Sequence, residues 1–250
     1  FTDALNMKGG TEGRDGADVA RKAFLADNYV LLFPTEIPSA IKAIKNEVKR
    51  NDSLEKDLNE RVLKILKAKE WTGATKFDSI NLKNIGQSLN QPNHVQLNRD
   101  LNAKAQTLVH NNGDILPFGR LDSISIANLY FGENDRFAFQ DELQLYGNIK
   151  TVYSNKKPTS FERKLIREEL ENVDVVIASL HNTRLYPTGN FGITNESLSF
   201  IKQLAKEKEV ILVHFGNPYA LRNYDALDSL SAILVSYEES EFAQHYAAEA

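Results

Sequence analysis

The side chains able to act on a ligand gather in two places. Asp3 follows Thr2 in Phe1-Thr2-Asp3-Ala4-Leu5, which reads as the end of a strand already under way. Taken alone, an aspartate in that setting caps a turn or a helix; its neighbours decide whether it does more. The second place is Leu180–Thr194, which holds His181, Asn182, Arg184, Tyr186, Asn190 and Phe191, with Gly189 and Gly192 beside them. Other motifs carry less. The run from Gly9 to Gly16 has neither a phosphate-loop nor a dinucleotide glycine spacing and reads as a flexible surface loop. The histidines at 94, 110, 181, 214 and 245 form no ligand pair at helical spacing, so neither a metal nor a cofactor is expected. His214 reads as a satisfied core residue in a strand and His245 as a solvated one on a terminal helix. With no cysteine, disulfides, thiolate metal sites and cysteine nucleophiles are excluded. No G-x-S-x-G elbow supplies a serine nucleophile.

The elements that must position these groups follow from composition and pattern. The chain has 250 residues, 42% of them hydrophobic and 26% charged, with a formal net charge of -4. That length allows one large domain or two modest ones. The acidic balance argues against a nucleic-acid binder. No apolar run reaches the roughly 18 residues of a membrane span. The first residue is Phe1, and Glu241–Ala250 reads as an amphipathic helix cut mid-turn, so both ends are expected to lie inside a larger protein.

Residues 1–73 read as strand end, helix, strand, helix, helix. Ala17–Ala26 has helical composition, Tyr29–Phe33 is a short buried strand stopped by Pro34, and Ile37–Val48 is an amphipathic helix. Ser53 is expected to cap a further helix whose stripe is Leu54, Leu58, Val62, Ile65 and Leu66, closed by Trp71 and Gly73. Residues 74–97 read as a linker with little regular structure. A helix is expected from Asn98 to about His110, then a turn at Asn111-Asn112-Gly113-Asp114.

From Ser123 strands and helices alternate. Ser123–Tyr130, Ile149–Ser154, Val173–Leu180, Glu209–Gly216 and Ala232–Glu238 are the strands; Phe137–Leu145, Ser160–Glu171, Ser197–Lys208 and Tyr219–Leu230 are the helices. This pattern predicts a five-stranded, mainly parallel, flavodoxin-like α/β sandwich over 98–250. Such sheets bind ligands beyond the carboxyl ends of their strands, where Leu180–Thr194 sits.

The run Phe1-Thr2-Asp3-Ala4-Leu5-Asn6-Met7-Lys8-Gly9 resembles the nucleophile segment of family 3 glycoside hydrolases, closest to their β-N-acetylhexosaminidase branch. Other stretches agree with it. Asp27-Asn28-Tyr29-Val30-Leu31-Leu32-Phe33-Pro34 resembles the family's last barrel strand, and Leu58–Lys69 with Trp71 its last barrel helix. Asn111-Asn112-Gly113-Asp114-Ile115-Leu116-Pro117 resembles the start of the second domain, and Phe215-Gly216-Asn217-Pro218-Tyr219 a later turn in it. The resemblance covers essentially the whole chain. It departs at Tyr29, where the family commonly has aspartate and where the change bears on the barrel mouth, and at Gly9-Gly10, where it has a bulkier pair.

The resemblance implies that residues 1–73 are the last units of a β/α barrel with about three quarters of the barrel absent, too few strands to close. It implies that Asp3 is the catalytic nucleophile of a retaining hydrolase of β-linked N-acetylglucosaminides, held ionised by backbone or lysine donors. The β-glucosidases of the family carry their acid/base glutamate on a second-domain loop. The corresponding His181–Ile193 contains no carboxylate, and Glu196 beyond it does not fit the motif. In the hexosaminidase branch an Asp-His pair upstream of the nucleophile does that work, which would place the acid/base outside this chain. The partners implied are a carbohydrate substrate and the rest of the parent barrel over 1–73, with no nucleic acid; a periplasmic or secreted parent is favoured. The alternatives are a non-catalytic α/β binding or scaffold module, or a β-glucosidase-type member of the same family.

Overall fold

Valine, isoleucine and leucine dominate the runs that alternate with helical segments after residue 123, and they become a sheet buried on both faces. The structure, a computed structural model, describes residues 1–7, 13–76, 79, 82–133, 138–225 and 227–250. It divides into two compact units, Phe1–Lys83 and Asn84–Ala250.

The first unit contains α1 (Gly16–Leu25), α2 (Ile37–Val48) and α3 (Asp52–Trp71). Asp15 caps α1 by accepting from the Ala17 N–H, and Pro38 sits in the first turn of α2, where its missing donor costs nothing. The cap of α3 is Asn51, whose side chain accepts from Ser53 N–H; the expectation of Ser53 as cap is corrected by two residues. The glycine run expected as a surface loop lies partly outside the described residues, and Asp15-Gly16 begins α1.

The expected strand Tyr29–Phe33 is not a regular strand. Thr2 N–H donates to Val30 O at 3.0 Å and Leu5 N–H to Leu32 O at 2.9 Å. Between them, the Leu32 N–H goes to the Thr2 hydroxyl at 2.9 Å instead of a carbonyl, which interrupts the ladder. Phe33, at φ 47°, and Pro34 then end the segment. Among the described residues of this unit no sheet closes. Phe33, Ile41, Val62 and Leu66 are exposed.

The buried residue of α3 is a charged one. Arg61 is 5% exposed. Its Nη1 donates to Phe24 O at 2.8 Å and to Asn28 O at 3.2 Å. Its Nη2 pairs with Asp27 at 2.8 Å and with Asp57. The guanidinium also lies 4.8 Å from the Phe24 ring centre and 5.5 Å from that of Tyr29, which a lysine ammonium of α3, Lys64, also approaches at 4.8 Å. One side chain thus ties α3 to the end of α1 and to the segment after it.

In the second unit Pro92 starts a helix where a linker was expected. Residues 85–89 form α4 (Ile85–Leu89) and 92–105 form α5 (Pro92–Ala105), so much of 74–97 is regular. Proline marks a break in a sequence, but at a first helical position its fixed φ favours the helix. The helix expected to reach His110 ends at Ala105, and Thr107–Asn111 is strand β1. Five further strands follow: β2 (Ile126–Phe131), β3 (Lys150–Ser154), β4 (Val175–Leu180), β5 (Glu209–His214) and β6 (Ala232–Val235). Their order is β1-β6-β5-β4-β2-β3. β1 is antiparallel to β6; every other pairing is parallel. The sheet therefore has six strands and is mixed, a correction to the five expected. The free edge of β6 is what recruits 107–111 as a strand; nothing local in 98–110 breaks the helical pattern.

Helices α6 (Ala138–Tyr146), α7 (Ser160–Glu169), α8 (Asn195–Leu204) and α9 (Glu241–Glu249) complete the unit. The expected helix start at residue 137 lies outside the described residues. The helix expected over Tyr219–Leu230 is two short 3-10 turns, Pro218–Asn223 and Leu227–Ser229. Leu221, Tyr224 and Leu230 are all buried in the same core, a spacing one continuous α-helix does not serve. On one face Leu129, Ala178, Leu212 and Ile233 pack against Ile166 of α7 and Leu198, Ile201 and Leu204 of α8. On the other, Ile126, Ile177, Val213 and Leu234 pack against Phe139 and Leu143 of α6 and Ala247 of α9.

Leu212→Ala, at a fully buried position in the middle of β5, is expected to lower stability by about 2–5 kcal/mol in urea unfolding. Arg61→Ala strands two backbone carbonyls and two carboxylates and should cost the first unit about 1.5–3 kcal/mol or more, read by hydrogen exchange at residues 24–28. An unchanged exchange rate there would show that Arg61 is not the tie.

Candidate functional site

Asp3 is exposed at the end of the segment held by Thr2. Its Oδ1 accepts from the Ala4 N–H at 2.8 Å. Met7 N–H donates to Ala4 O at 3.2 Å and closes the turn beyond it; Lys8 lies outside the described residues. The Asp3 carboxylate is therefore carried on a short anchored segment, and its second oxygen has no partner among the described residues. Asp3 and the His181–Ile193 loop belong to different units, and the acid/base expected upstream of Asp3 would lie outside the chain.

In the second unit the groups meet at the carboxyl ends of the parallel strands, and Asn182 is the junction. It follows β4 with φ 52°, a left-handed conformation that asparagine tolerates better than most residues. Its N–H donates to Glu239 Oε2 at 2.6 Å, its Oδ1 accepts from Glu133 N–H at 2.8 Å, and its carbonyl accepts from Lys156 Nζ at 2.6 Å. One residue therefore joins the segments that follow β2, β3, β4 and β6. Glu239 uses its other oxygen on His181, with Oε1 2.9 Å from Nδ1. The imidazole stacks on Tyr130 at 4.3 Å and lies 4.7 Å from the Phe215 ring. The carboxylate calls for a donor at Nδ1, which leaves Nε2 a buried acceptor without a partner among the described residues.

Burial pushes the His181 pKa below the ordinary histidine range, against the opposing pull of Glu239. Burial does the same to His214, whose Nε2 lies 2.9 Å from Asn217 O and whose Nδ1 has no partner among the described residues, which leaves it a half-satisfied core residue there. His245, expected to be solvated, pairs with Glu142 at 2.8 Å. Phe191 is buried in the core and Tyr186 is exposed, so the loop residues do not act as one cluster. At Gly216 a Cβ would lie 2.0 Å from the Thr183 hydroxyl, which donates to Phe215 O, so that turn admits no larger residue.

Beside this junction a polar crevice of about 430 Å³ is lined by Glu133, Asn155, Lys156, Lys157, Arg184, Gly189, Gly192 and Thr194. Glu239, Glu133 and the two lysines were not singled out from sequence. Glu239 lies 58 residues from His181, with no local signal. Lys156-Lys157 could have been found by reading the carboxyl end of every strand, not only that of β4.

His181 and His214 stay neutral in the folded protein where the unfolded chain takes up a proton. Stability is expected to be full above about pH 6.5 and to fall as pH drops, by at most about 1.4 kcal/mol per pH unit for each histidine. His181→Gln should flatten the dependence between pH 7.5 and 5.5 in urea unfolding; an identical slope would remove His181 as its cause.

No family model and no curated protein sequence matches the chain. Solved structures do match it over nearly its whole length. A glycoside hydrolase family 3 β-N-acetylglucosaminidase from Paenibacillus sp. str. FPU-7 aligns with a TM-score of 0.66 and 17% identity, covering 99% of this chain and 47% of that one. The β-glucoside phosphorylase BglX aligns at 0.71 and 15%, covering 99% and 45%. A β-glucosidase from Listeria innocua aligns at 0.66 and 15%, covering 97% and 36%. The chain spans less than half the length of each. At these identities the likeness is one of fold: the chain has the fold of the matching portion of family 3 glycoside hydrolase structures.

Proposed function

We propose that the chain is part of a retaining glycoside hydrolase acting on β-linked N-acetylglucosaminides, with Asp3 as nucleophile and the acid/base outside these residues. The observation that carries this reading is the setting of Asp3. It stands on a segment fixed by Thr2 against residues 30–32, with one oxygen on the Ala4 N–H and no partner for the other among the described residues. The fold shared with family 3 structures over almost the whole chain supports it.

In this mechanism the Asp3 carboxylate attacks the anomeric carbon. The bond from that carbon to the leaving oxygen breaks as the acid protonates the oxygen, and a glycosyl ester forms on Asp3. Water then attacks the same carbon, giving its proton to the now basic partner. The ester bond breaks, Asp3 returns as a carboxylate, and configuration is retained. A β-glucosidase-type site needs a carboxylic acid on the second-domain loop. Residues 181–193 contain none, and Glu239, the carboxylate closest to their start, has both oxygens engaged. This favours the N-acetylglucosaminide reading.

The complete parent protein should cleave a chromogenic β-N-acetylglucosaminide faster than the matching glucoside. Asp3→Asn in it should lose roughly 10³-fold or more in kcat while the fold is kept. Mass spectrometry of a fluorosugar-trapped sample should place the sugar on Asp3. The 250-residue chain by itself should show no useful hydrolysis, because general acid catalysis alone contributes about 10²–10⁴-fold. Full activity of the Asn variant, or an adduct elsewhere, would remove Asp3 from the mechanism; a parent with no hydrolysis would favour the scaffold reading.

A further inference from the structure

We propose that the crevice at the carboxyl end of the second unit's sheet binds a compact oxyanion, a carboxylate or phosphate group borne by a sugar-sized ligand. The inference stands apart from the role of Asp3, since every residue it uses lies in the second unit.

The topology places the crevice. Among the parallel strands the spatial order is β3-β2-β4-β5-β6. The chain leaves β2 for β3 on one side, then returns past β2 to β4 on the other. At such a reversal the connections leave in opposite directions and open a cleft between them. The lining residues come from the three segments that flank this reversal: Glu133 after β2, Asn155, Lys156 and Lys157 after β3, and Arg184 to Thr194 after β4.

The chemistry of the lining selects an anion. Three cations, Lys156, Lys157 and Arg184, face one carboxylate, Glu133, in a protein whose formal net charge is -4. The nearby Glu162 is already used: it accepts from Thr159 N–H at 2.7 Å in the cap of α7 and from Asn155 Nδ2 at 2.6 Å. Lys157 and Arg184 make no ion pair among the described residues. Helix α8, 10 residues long, begins behind Thr194, which lines the crevice, so its positive end adds to the same field.

The cations are positioned. Lys156 is pinned through its Nζ on Asn182 O, and its own carbonyl accepts from the Thr194 hydroxyl. Arg184 is fixed at the backbone by its N–H on Phe191 O at 2.6 Å. Its stem lies over Gly192, which has φ 81° and where a Cβ would sit 3.2 Å from Arg184 Cγ. A planar guanidinium and an ammonium held around an open, polar space are the groups that take a bidentate oxyanion.

The test uses the full 250-residue chain and calorimetry at low ionic strength, with inorganic phosphate, glucose 6-phosphate, glucuronate and glucose as probes. At least one oxyanion should bind saturably at one site and glucose should not; which of phosphate and carboxylate binds identifies the group. Lys157→Gln with Arg184→Gln should weaken that binding roughly tenfold or more. Glu133→Gln should tighten it, because one repelling charge is removed. All three positions are exposed, so the melting temperature should move little, and the opposite sign for Glu133→Gln separates a binding effect from damage to the fold. The proposal is overturned if no oxyanion probe binds, if glucose binds as well as they do, or if the Lys157/Arg184 double variant binds as tightly as the unaltered chain.

Discussion

A parallel sheet must be covered on both faces, because its strands are joined by crossovers that leave neither side to water. In the second unit this burial constraint organises almost everything else. β2, β4 and β6 are buried at every position and β5 at all but its first. Two helices lie on each face, and the polar ends of the connections are left at the sheet's carboxyl end. The same constraint explains the buried imidazoles. His181 and His214 continue strands whose neighbours are apolar, so each holds one hydrogen bond and is kept neutral by its surroundings.

Once both faces are filled, specificity has to reside in the connections, and their order is set by the one reversal in the winding. Asn182 shows how that region is held rigid. A single left-handed residue uses its N–H, carbonyl and side-chain oxygen to bind segments following three other strands. The cost of a positive φ is offset by three hydrogen bonds, two of them with charged partners. In the crevice beside it Lys156 is held at its ammonium and Arg184 at its backbone, although most of the lining residues are exposed.

The first unit depends on a different interaction. Its longest helix, α3, buries an arginine where an amphipathic helix ordinarily buries a leucine. Arg61 satisfies carbonyls at the end of α1 and carboxylates on both sides. None of the apolar stripe of α3, Leu54, Leu58, Val62, Ile65 and Leu66, is fully buried. The anchored segment around Asp3 rests on the same neighbourhood, since residues 30–32, which hold Thr2 and Leu5, continue directly from Asn28.

The sequence determined what local chemistry determines. Period and composition placed all five parallel strands to within a few residues, because a fully buried β-branched run bounded by turns has few other outcomes. Helix α2 fell on its predicted bounds because a proline start and a one-sided apolar face specify it. The turn at 111–114 was legible in its asparagines and glycine. The segment around Asp3 carries a resemblance in its sequence, and the structure shows how its backbone is held. Tertiary structure decided the rest. β1 became a strand because β6 had an unpaired edge, and its partners lie 121 to 128 residues away, Asn111 against Ala232 and Thr107 against Val235. Pro92 began a helix where its residue type suggested a break. Glu239 found His181, and Lys156 found Asn182, only when the winding of the sheet brought their connections together. Such pairings depend on strand order, and strand order is fixed by burying two faces at once, a condition that no single window of sequence contains.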